Sequence, residues 1–185
     1  VYLQNGYIDI DVAKPFVGVN FNLNTAILDF NIKEGNKYKI NNVKINLDKP
    51  LLEKKDLYDK LKININQTFN IDLVREDVIF LQNSLSNLGY SFANINYDIK
   101  KIGNNTVDIE YIIKSNKKVY INNIIISGNS RTTDSVIRRN VYLAPSDLFN
   151  SKNIKDTKNS LQRTGFFESV DIKIVKVNDN SIDLY

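Results

Sequence analysis

The sequence predicts an α+β protein built as tandem modules, each ordered βααββ, with two helices packed on a three-stranded mixed sheet. Three observations carry this. First, Lys39-Ile40-Asn41-Asn42-Val43-Lys44-Ile45 returns 81 residues later as Tyr120-Ile121-Asn122-Asn123-Ile124-Ile125-Ile126. Second, Asn24-Thr25-Ala26-Ile27-Leu28-Asp29-Phe30 matches Asn105-Thr106-Val107-Asp108-Ile109-Glu110-Tyr111 at the same offset. Third, a glycine followed by an aromatic recurs three times, as Asn5-Gly6-Tyr7, Leu88-Gly89-Tyr90 and Thr164-Gly165-Phe166. The matches fall in one order. They divide the chain into the C-terminal part of a module (1–35), a complete module (36–115) and a last module (116–185).

The middle module shows each element. Residues 38–47 alternate, with Ile40, Val43, Ile45 and Leu47 marking a strand that Pro50 ends. Residues 51–61 form a short charged helix. Asp72 is suited to cap the second helix, whose apolar residues Val74, Val78, Leu81, Leu85 and Leu88 lie on one stripe. Gly89 stands where a left-handed C-terminal cap is expected. The period then changes to two. Phe92, Ile95, Tyr97 and Ile99 give one strand over 91–101, a turn follows at Gly103-Asn104-Asn105, and Val107, Ile109, Tyr111 and Ile113 give the next.

In the last module the same reading places a strand at 119–127 and helices at 134–142 and 152–164. Strands follow at 168–177 and from Ile182. Phe69 precedes Leu85 by 16 residues but Phe149 precedes Leu161 by 12, so the last module's second helix is about one turn shorter. At the other end, Val1 to Tyr7 lack the features of a signal peptide and read as the end of a helix, so the chain is expected to begin inside a module.

Composition narrows the chemistry. The chain has no His, Cys, Met or Trp, which removes the commonest general base, the thiol nucleophile and the usual zinc ligands. No nucleophile elbow, phosphate loop or dinucleotide fingerprint is present. Asp9 and Asp11 share a strand face, but two carboxylates alone make a weak Ca²⁺ site. The expectation is no enzyme, no cofactor and no metal. The net charge of +4 lies wholly in residues 115–185, which hold eleven basic and seven acidic residues; the remainder holds fourteen of each. A basic region of this kind suits an acidic partner, a lipid surface or nucleic acid.

Two groups of residues are candidates for binding. Gly128-Asn129 forms a tight turn, Thr132 or Thr133 can cap the following helix, and that helix carries Arg131, Arg138, Arg139 and Asn140 at or near its ends. Arg138 and Arg139 are about 100° apart, so at least one faces outward. Arg also suits forked contacts with carboxylates. The second group is the edge of the sheet. A three-stranded sheet leaves an edge to which an extended peptide can add. The candidate strands are 91–101, with Phe92, Asn94, Asn96 and Asp98, and 168–177, with Val170, Ile172 and Ile174.

The βααββ order, with Gly128-Asn129, Arg131-Thr132, Val136-Ile137-Arg138-Arg139, Leu143, Leu161 and Arg163-Thr164-Gly165-Phe166-Phe167-Glu168-Ser169-Val170, resembles the POTRA domains of Omp85-family outer-membrane assembly factors. The Gly-Asn, Arg-Arg and Gly-Phe-Phe combination resembles the last such domain before the membrane barrel. The resemblance implies a periplasmic location in a Gram-negative bacterium and a C-terminal β-barrel outside this sequence. It implies, as partners, unfolded outer-membrane proteins and lipoprotein subunits of the BamD type. The family takes up strands at the edge after the second helix. It docks the lipoprotein near the last domain's first helix, where it commonly has an acid after the Arg pair; this chain has Asn140. Two alternatives remain open: the POTRA region of a two-partner secretion or other Omp85-type transporter, and a basic nucleic-acid-binding module. Against the latter, the aromatics sit at core positions and are not interleaved with basic residues.

Overall fold

The computed structural model describes residues 1–103 and 105–185; Asn104, at the tip of the turn read from the sequence, lies outside the described residues. The chain starts with a 3₁₀ turn (Tyr2–Gln4) and the short strands β1 (Asp11–Val12), β2 (Phe16–Asn20), β3 (Thr25–Asp29) and β4 (Ile32–Lys33). The middle module comprises β5 (Lys39–Leu47), α1 (Lys54–Tyr58), α2 (Ile71–Ser86), β6 (Asn94–Ile102) and β7 (Thr106–Lys114). The last comprises β8 (Tyr120–Ile124), α3 (Asp134–Arg138), α4 (Ser151–Arg163), β9 (Ile174–Asn178) and β10 (Ser181–Leu184). The predicted α+β class and element order hold in both modules. The first helices are shorter than read, and α4 has 13 residues against 16 for α2.

In both modules the last strand is the central one. The sheets are ordered β5-β7-β6 and β8-β10-β9, with the first strand parallel and the penultimate strand antiparallel to the centre. Even the irregularity repeats. Ile40 pairs with Val107 and Asn42 with Asp108; Ile121 pairs with Ile182 and Asn123 with Asp183. Each first strand therefore carries a bulge at its Ile-Asn-Asn. On the inner face of the middle sheet Val107, Ile109, Tyr111 and Ile113 are buried under Val74, Leu81 and Leu85 of α2, as their spacing predicts. The outer face is polar, with Lys100 donating to Glu110 at 2.8 Å and Asn41 to Asp108 at 2.7 Å.

The caps of the second helices are not where Asp72 suggested. The Asn70 side chain accepts from the Asp72 N–H at 2.9 Å, and Asn150 accepts from the Asn153 N–H at 3.1 Å. Asp72 thus sits inside the first turn. Its carboxylate there is still favourable, because it lies near the positive end of the helix dipole. Asp77, on the buried face of α2, holds the chain after α1. It accepts from the N–H groups of Lys62 (2.6 Å) and Ile63 (3.3 Å) and from the Tyr111 hydroxyl (3.1 Å). In α4 the same task falls to Thr157, whose hydroxyl accepts the Tyr142 N–H at 2.9 Å.

The first 35 residues contain no first strand or helix pair of their own. Ala26, Leu28 and Phe30 correspond to the buried Val107, Ile109 and Tyr111, yet all three are exposed, because nothing in the described residues covers the β2–β3 hairpin.

The joints repeat as the modules do. The Gly6 carbonyl accepts the Tyr38 N–H at 2.9 Å, and the Gly89 carbonyl accepts the Val119 N–H at 2.8 Å. Both glycines have φ of 92°. A Cβ on Gly6 would lie 2.8 Å from Thr68 Cγ2, and one on Gly89 would lie 2.5 Å from Leu148 Cδ1. The residue two places before each glycine reaches the next module's second helix. Gln4 donates to Asp72, and Asn87 accepts from the Lys152 N–H (3.0 Å) and the Ser151 hydroxyl (2.8 Å). The residue three places after each glycine meets a lysine. Asp9 pairs with Lys101 and accepts from the Tyr38 hydroxyl at 2.6 Å; Phe92 lies with its ring centroid 5.0 Å from Lys176 Nζ. Asp9 is thereby committed to the joint and does not share a strand face with Asp11, which alone of the two lies in β1.

Two outcomes follow. Gly89→Ala combines a strained backbone with a collision and should cost about 3 kcal/mol in urea unfolding, far more than a surface change. Burial raises the Asp77 carboxyl above its ordinary 3.8, with the hydrogen bonds from Lys62, Tyr111 and Ile63 opposing. The folded state then holds this proton more tightly, so Asp77 contributes stability below pH 3.8 that is lost as pH rises through the raised value. Unfolding of wild type and Asp77→Asn across that range should show the destabilisation caused by the variant to be larger at the acid end.

Candidate functional site

The two ends of each sheet are treated differently. The outer edge of β5 is covered by the turn before α2: the Asn66 N–H donates to the Ile40 carbonyl (2.7 Å), the Ile40 N–H to Gln67 (2.8 Å) and the Phe69 N–H to Tyr38 (3.0 Å). The β8 edge is covered identically, by Ser146 to Ile121 (2.7 Å), Ile121 to Asp147 (2.8 Å) and Phe149 to Val119 (2.8 Å). Asn66 and Ser146 both adopt positive φ, 67° and 74°, to make this turn. Among the described residues no backbone bond joins the outer edge of β6 or β9 to any other segment. These are the edges open to an added strand.

The structure corrects the membership of those edges. β6 begins at Asn94, so Phe92 is not an edge residue; it is half-buried, packed against the core of the last module. Asn94, Asn96 and Asp98 do lie on β6 and are exposed on the polar face. β9 begins at Ile174, not at 168. Lys173 exchanges both backbone bonds with Tyr185, the last residue of the sequence, at 2.8 and 2.9 Å, so the positions that the antiparallel register sets opposite residues 168–172 lie outside this sequence. Val170 and Ile172 line a cavity of about 370 Å³ with Ile126, Ile137, Leu161 and Phe167.

Sequence reasoning overlooked Val175 and Val177. Every residue of β9 is exposed, and Ile174, Val175 and Val177 make it an apolar edge. The signal was present, since aliphatic residues on both parities do not suit a strand with one buried face. By contrast β6 is guarded by Asp98, Lys100 and Lys101. The Lys100 ammonium holds Glu110 below the usual carboxylate range and is itself raised by that hydrogen bond.

The basic helix-turn of the last module is ordered from within. Asn129 donates to the Thr132 carbonyl (2.9 Å) and to Asp134 (3.0 Å), and Gly128 has φ of 83°. Thr133 is the N-cap, but its hydroxyl meets Ser135 Oγ and not a backbone N–H, which corrects the expected cap. Arg131, Arg138 and Arg139 are exposed. Arg138 donates to the Ile124 carbonyl at 3.3 Å and lies 3.8 Å from Asp134. Asn140 differs: its amide donates to Val136 (3.1 Å) and accepts from the Ser160 hydroxyl (3.0 Å), tying the end of α3 to α4. The described residues hold no cluster of acids fit for a metal ion.

A family model described as POTRA, surface antigen variable number repeat, matches residues 38–116 and 119–185. The chain is 34% identical, over 99% of its length, to the outer membrane protein assembly factor BamA of Neorickettsia risticii, and 32% identical over 98% to that of Nitratidesulfovibrio vulgaris. It spans only about a quarter of the length of these curated relatives, 24% and 23%. The crystal structure of Haemophilus influenzae BamA POTRA3-5 superposes with a TM-score of 0.82 over 99% of this chain and 73% of that one, at 24% identity.

The contacts separate two kinds of polar residue. Asn140→Ala removes a bridge between helices and should cost about 1 kcal/mol in chemical denaturation, whereas Arg139→Ala should stay within about 0.5 kcal/mol.

Proposed function

The chain belongs to the POTRA family, and from that premise we propose that it is the periplasmic scaffold region of an outer-membrane β-barrel assembly factor. In this reading it receives nascent outer-membrane proteins by strand addition and docks a lipoprotein subunit through the basic last module. It does so without catalysis: its work is to offer backbone groups and charge.

The open β9 edge carries the reading. An edge strand with exposed aliphatics is a hazard unless something pairs with it. Strand addition draws affinity from main-chain bonds, while alternate side chains supply modest selectivity. A segment destined for a membrane barrel alternates apolar and polar residues, so its apolar side can meet Ile174, Val175 or Val177. Lys173 and Lys176 add positive charge beside the edge. The β6 edge, longer but charged, is the weaker acceptor. The covered edges of β5 and β8 favour uptake on one side only. For the lipoprotein, Arg131 and Arg139 are exposed and Arg138 is only partly engaged by Asp134 and Ile124. Asn140, occupied by Ser160, supports the surface from behind.

Titration with a ten-residue peptide of alternating apolar and polar residues should shift amide resonances along 173–178 first and along 94–102 at higher concentration. Shifts confined to helix surfaces would sink the edge-strand mechanism. Charge reversal at both Arg138 and Arg139 should weaken binding of the lipoprotein subunit about tenfold or more, with steep salt dependence in the wild type. Unchanged affinity would remove the arginine surface from the docking model.

A further inference from the structure

Helices α2 and α4 each begin after a capping asparagine, Asn70 and Asn150, so their outward faces can be compared position by position. At about 100° per residue, the side away from the buried Val74 and Leu81 of α2 carries Asp72, Arg75, Glu76, Ile79 and Asn83. The same positions in α4, away from the buried Thr157 and Leu161, are Lys152, Lys155, Asp156, Asn159 and Arg163. One cation against two acids in the first helix becomes three cations against one acid in the second. In α2 the charges are matched locally, with Arg75 3.2 Å from Asp72 and Gln4 donating to Asp72 as well. In α4, Lys158 on the flank meets Asp171 at 3.3 Å, but Lys152, Lys155 and Arg163 are exposed and have no ion-pair partner among the described residues. Lys152 also opposes the helix dipole. It stands in a first turn that holds no acid, at the positive end, where α2 has the favourable Asp72.

We propose that the outward face of α4 docks an acidic helix of a protein partner. The inference requires neither strand uptake nor the arginine surface of α3. Lys152, Lys155, Asn159 and Arg163 follow one another at steps of three, four and four residues, a straight row about 16 Å long. A second helix can lie along such a row and repeat acids at the same step, since side chains three and four apart stand on one face. Unpaired cations at the positive end of a dipole are unfavourable in the free protein, and an acidic partner reverses that sign. Tyr142 supplies an aromatic contact at the start of the row. Its N–H donates to Thr157 at 2.9 Å and its carbonyl accepts from Asn153 at 3.4 Å, while its side chain leaves the residue 55% exposed. The partner helix therefore carries an apolar residue beside its acids. A lipid surface is the poorer occupant, because a helix that lies in a membrane interface offers it an apolar face. The apolar residues of α4, Ile154 and Leu161, are instead turned into the module.

Fluorescence anisotropy tests this with a labelled 16-residue alanine-based helical peptide, bearing glutamates three and four positions apart and a leucine beside them. The peptide is titrated with the full-length protein, and a second peptide has glutamine in place of each glutamate. The glutamate peptide should bind, with an affinity that falls as salt is raised. Lys152→Glu combined with Lys155→Glu should weaken it about tenfold or more, and Tyr142→Ala about threefold. Hydrogen exchange of peptides covering 151–163 should be as slow in the double variant as in the wild type, or slower, because acids suit the first turn of the helix. Faster exchange would mean that the lysines serve the fold, and would overturn the proposal. Equal binding of the two peptides, or none to the full-length protein, overturns it as well. Binding that survives the lysine reversals but is lost on Arg138→Glu assigns the peptide to α3 instead. If vesicles of phosphatidylglycerol and phosphatidylethanolamine bind through Lys152 and Lys155 while the peptide does not, the face belongs to lipid and the protein partner is wrong.

Discussion

Each module depends on its last strand lying between its first two. β7 must pair parallel with β5 on one side and antiparallel with β6 on the other. A parallel pair cannot be joined by a tight turn, so the chain between β5 and the hairpin has to cross over, and it does so as two helices. Those helices cover one face only. The inner side chains of β7 are then fully buried, and the outer ones form a polar surface held by Glu110, Lys100 and Asn46. The same placement decides the edges. The first strand is closed by the turn that leads into the second helix, and the penultimate strand is left open.

The joints follow from where the second helix stops. A helix ended by a left-handed glycine turns its last carbonyl outward, and the next module's first strand begins on that carbonyl. Without a side chain, the glycine lets Thr68 or Leu148 close on its backbone. The surrounding contacts differ in kind. At the first joint Asp9, Tyr38 and Lys101 form a charged and hydrogen-bonded cluster. At the second, the equivalent position is Phe92, whose ring is packed on the neighbouring core with Lys176 across it. One geometry is therefore held by an ion pair in one place and by apolar burial with a cation in the other.

Much of this was legible from residues alone. The offset repeat revealed the modules because the same Ile-Asn-Asn bulge, Asn helix cap and left-handed glycine recur in the same order. The alternation of Val107, Ile109, Tyr111 and Ile113 gave away a strand with one buried face, and the stripe on α2 gave away its partner. What misled was local ambiguity. Asp72 and Asn70 are both good caps, and only the extended backbone at Asn70 decides between them. Residues 168–172 carry a strand-like pattern, and the antiparallel register sets them opposite positions past Tyr185, so no strand is formed there by the residues of this sequence. Phe92 looked like an alternating strand residue because period two says which residues share a side and not what lies there.

By itself the sequence determined the repeat, the order of elements, the inward faces of the central strands and the lack of His and Cys chemistry. All of these rest on spacing and residue type, which are local properties. The tertiary structure decided which edges are open, which glycines are covered, and whether an exposed-looking residue such as Asn140 or Asp9 is free or engaged. Those depend on contacts between residues 20 to 92 positions apart in the chain, such as Asn140 with Ser160 and Asp9 with Lys101. No local pattern encodes such a pairing, because it exists only once the packing has brought the two side chains together.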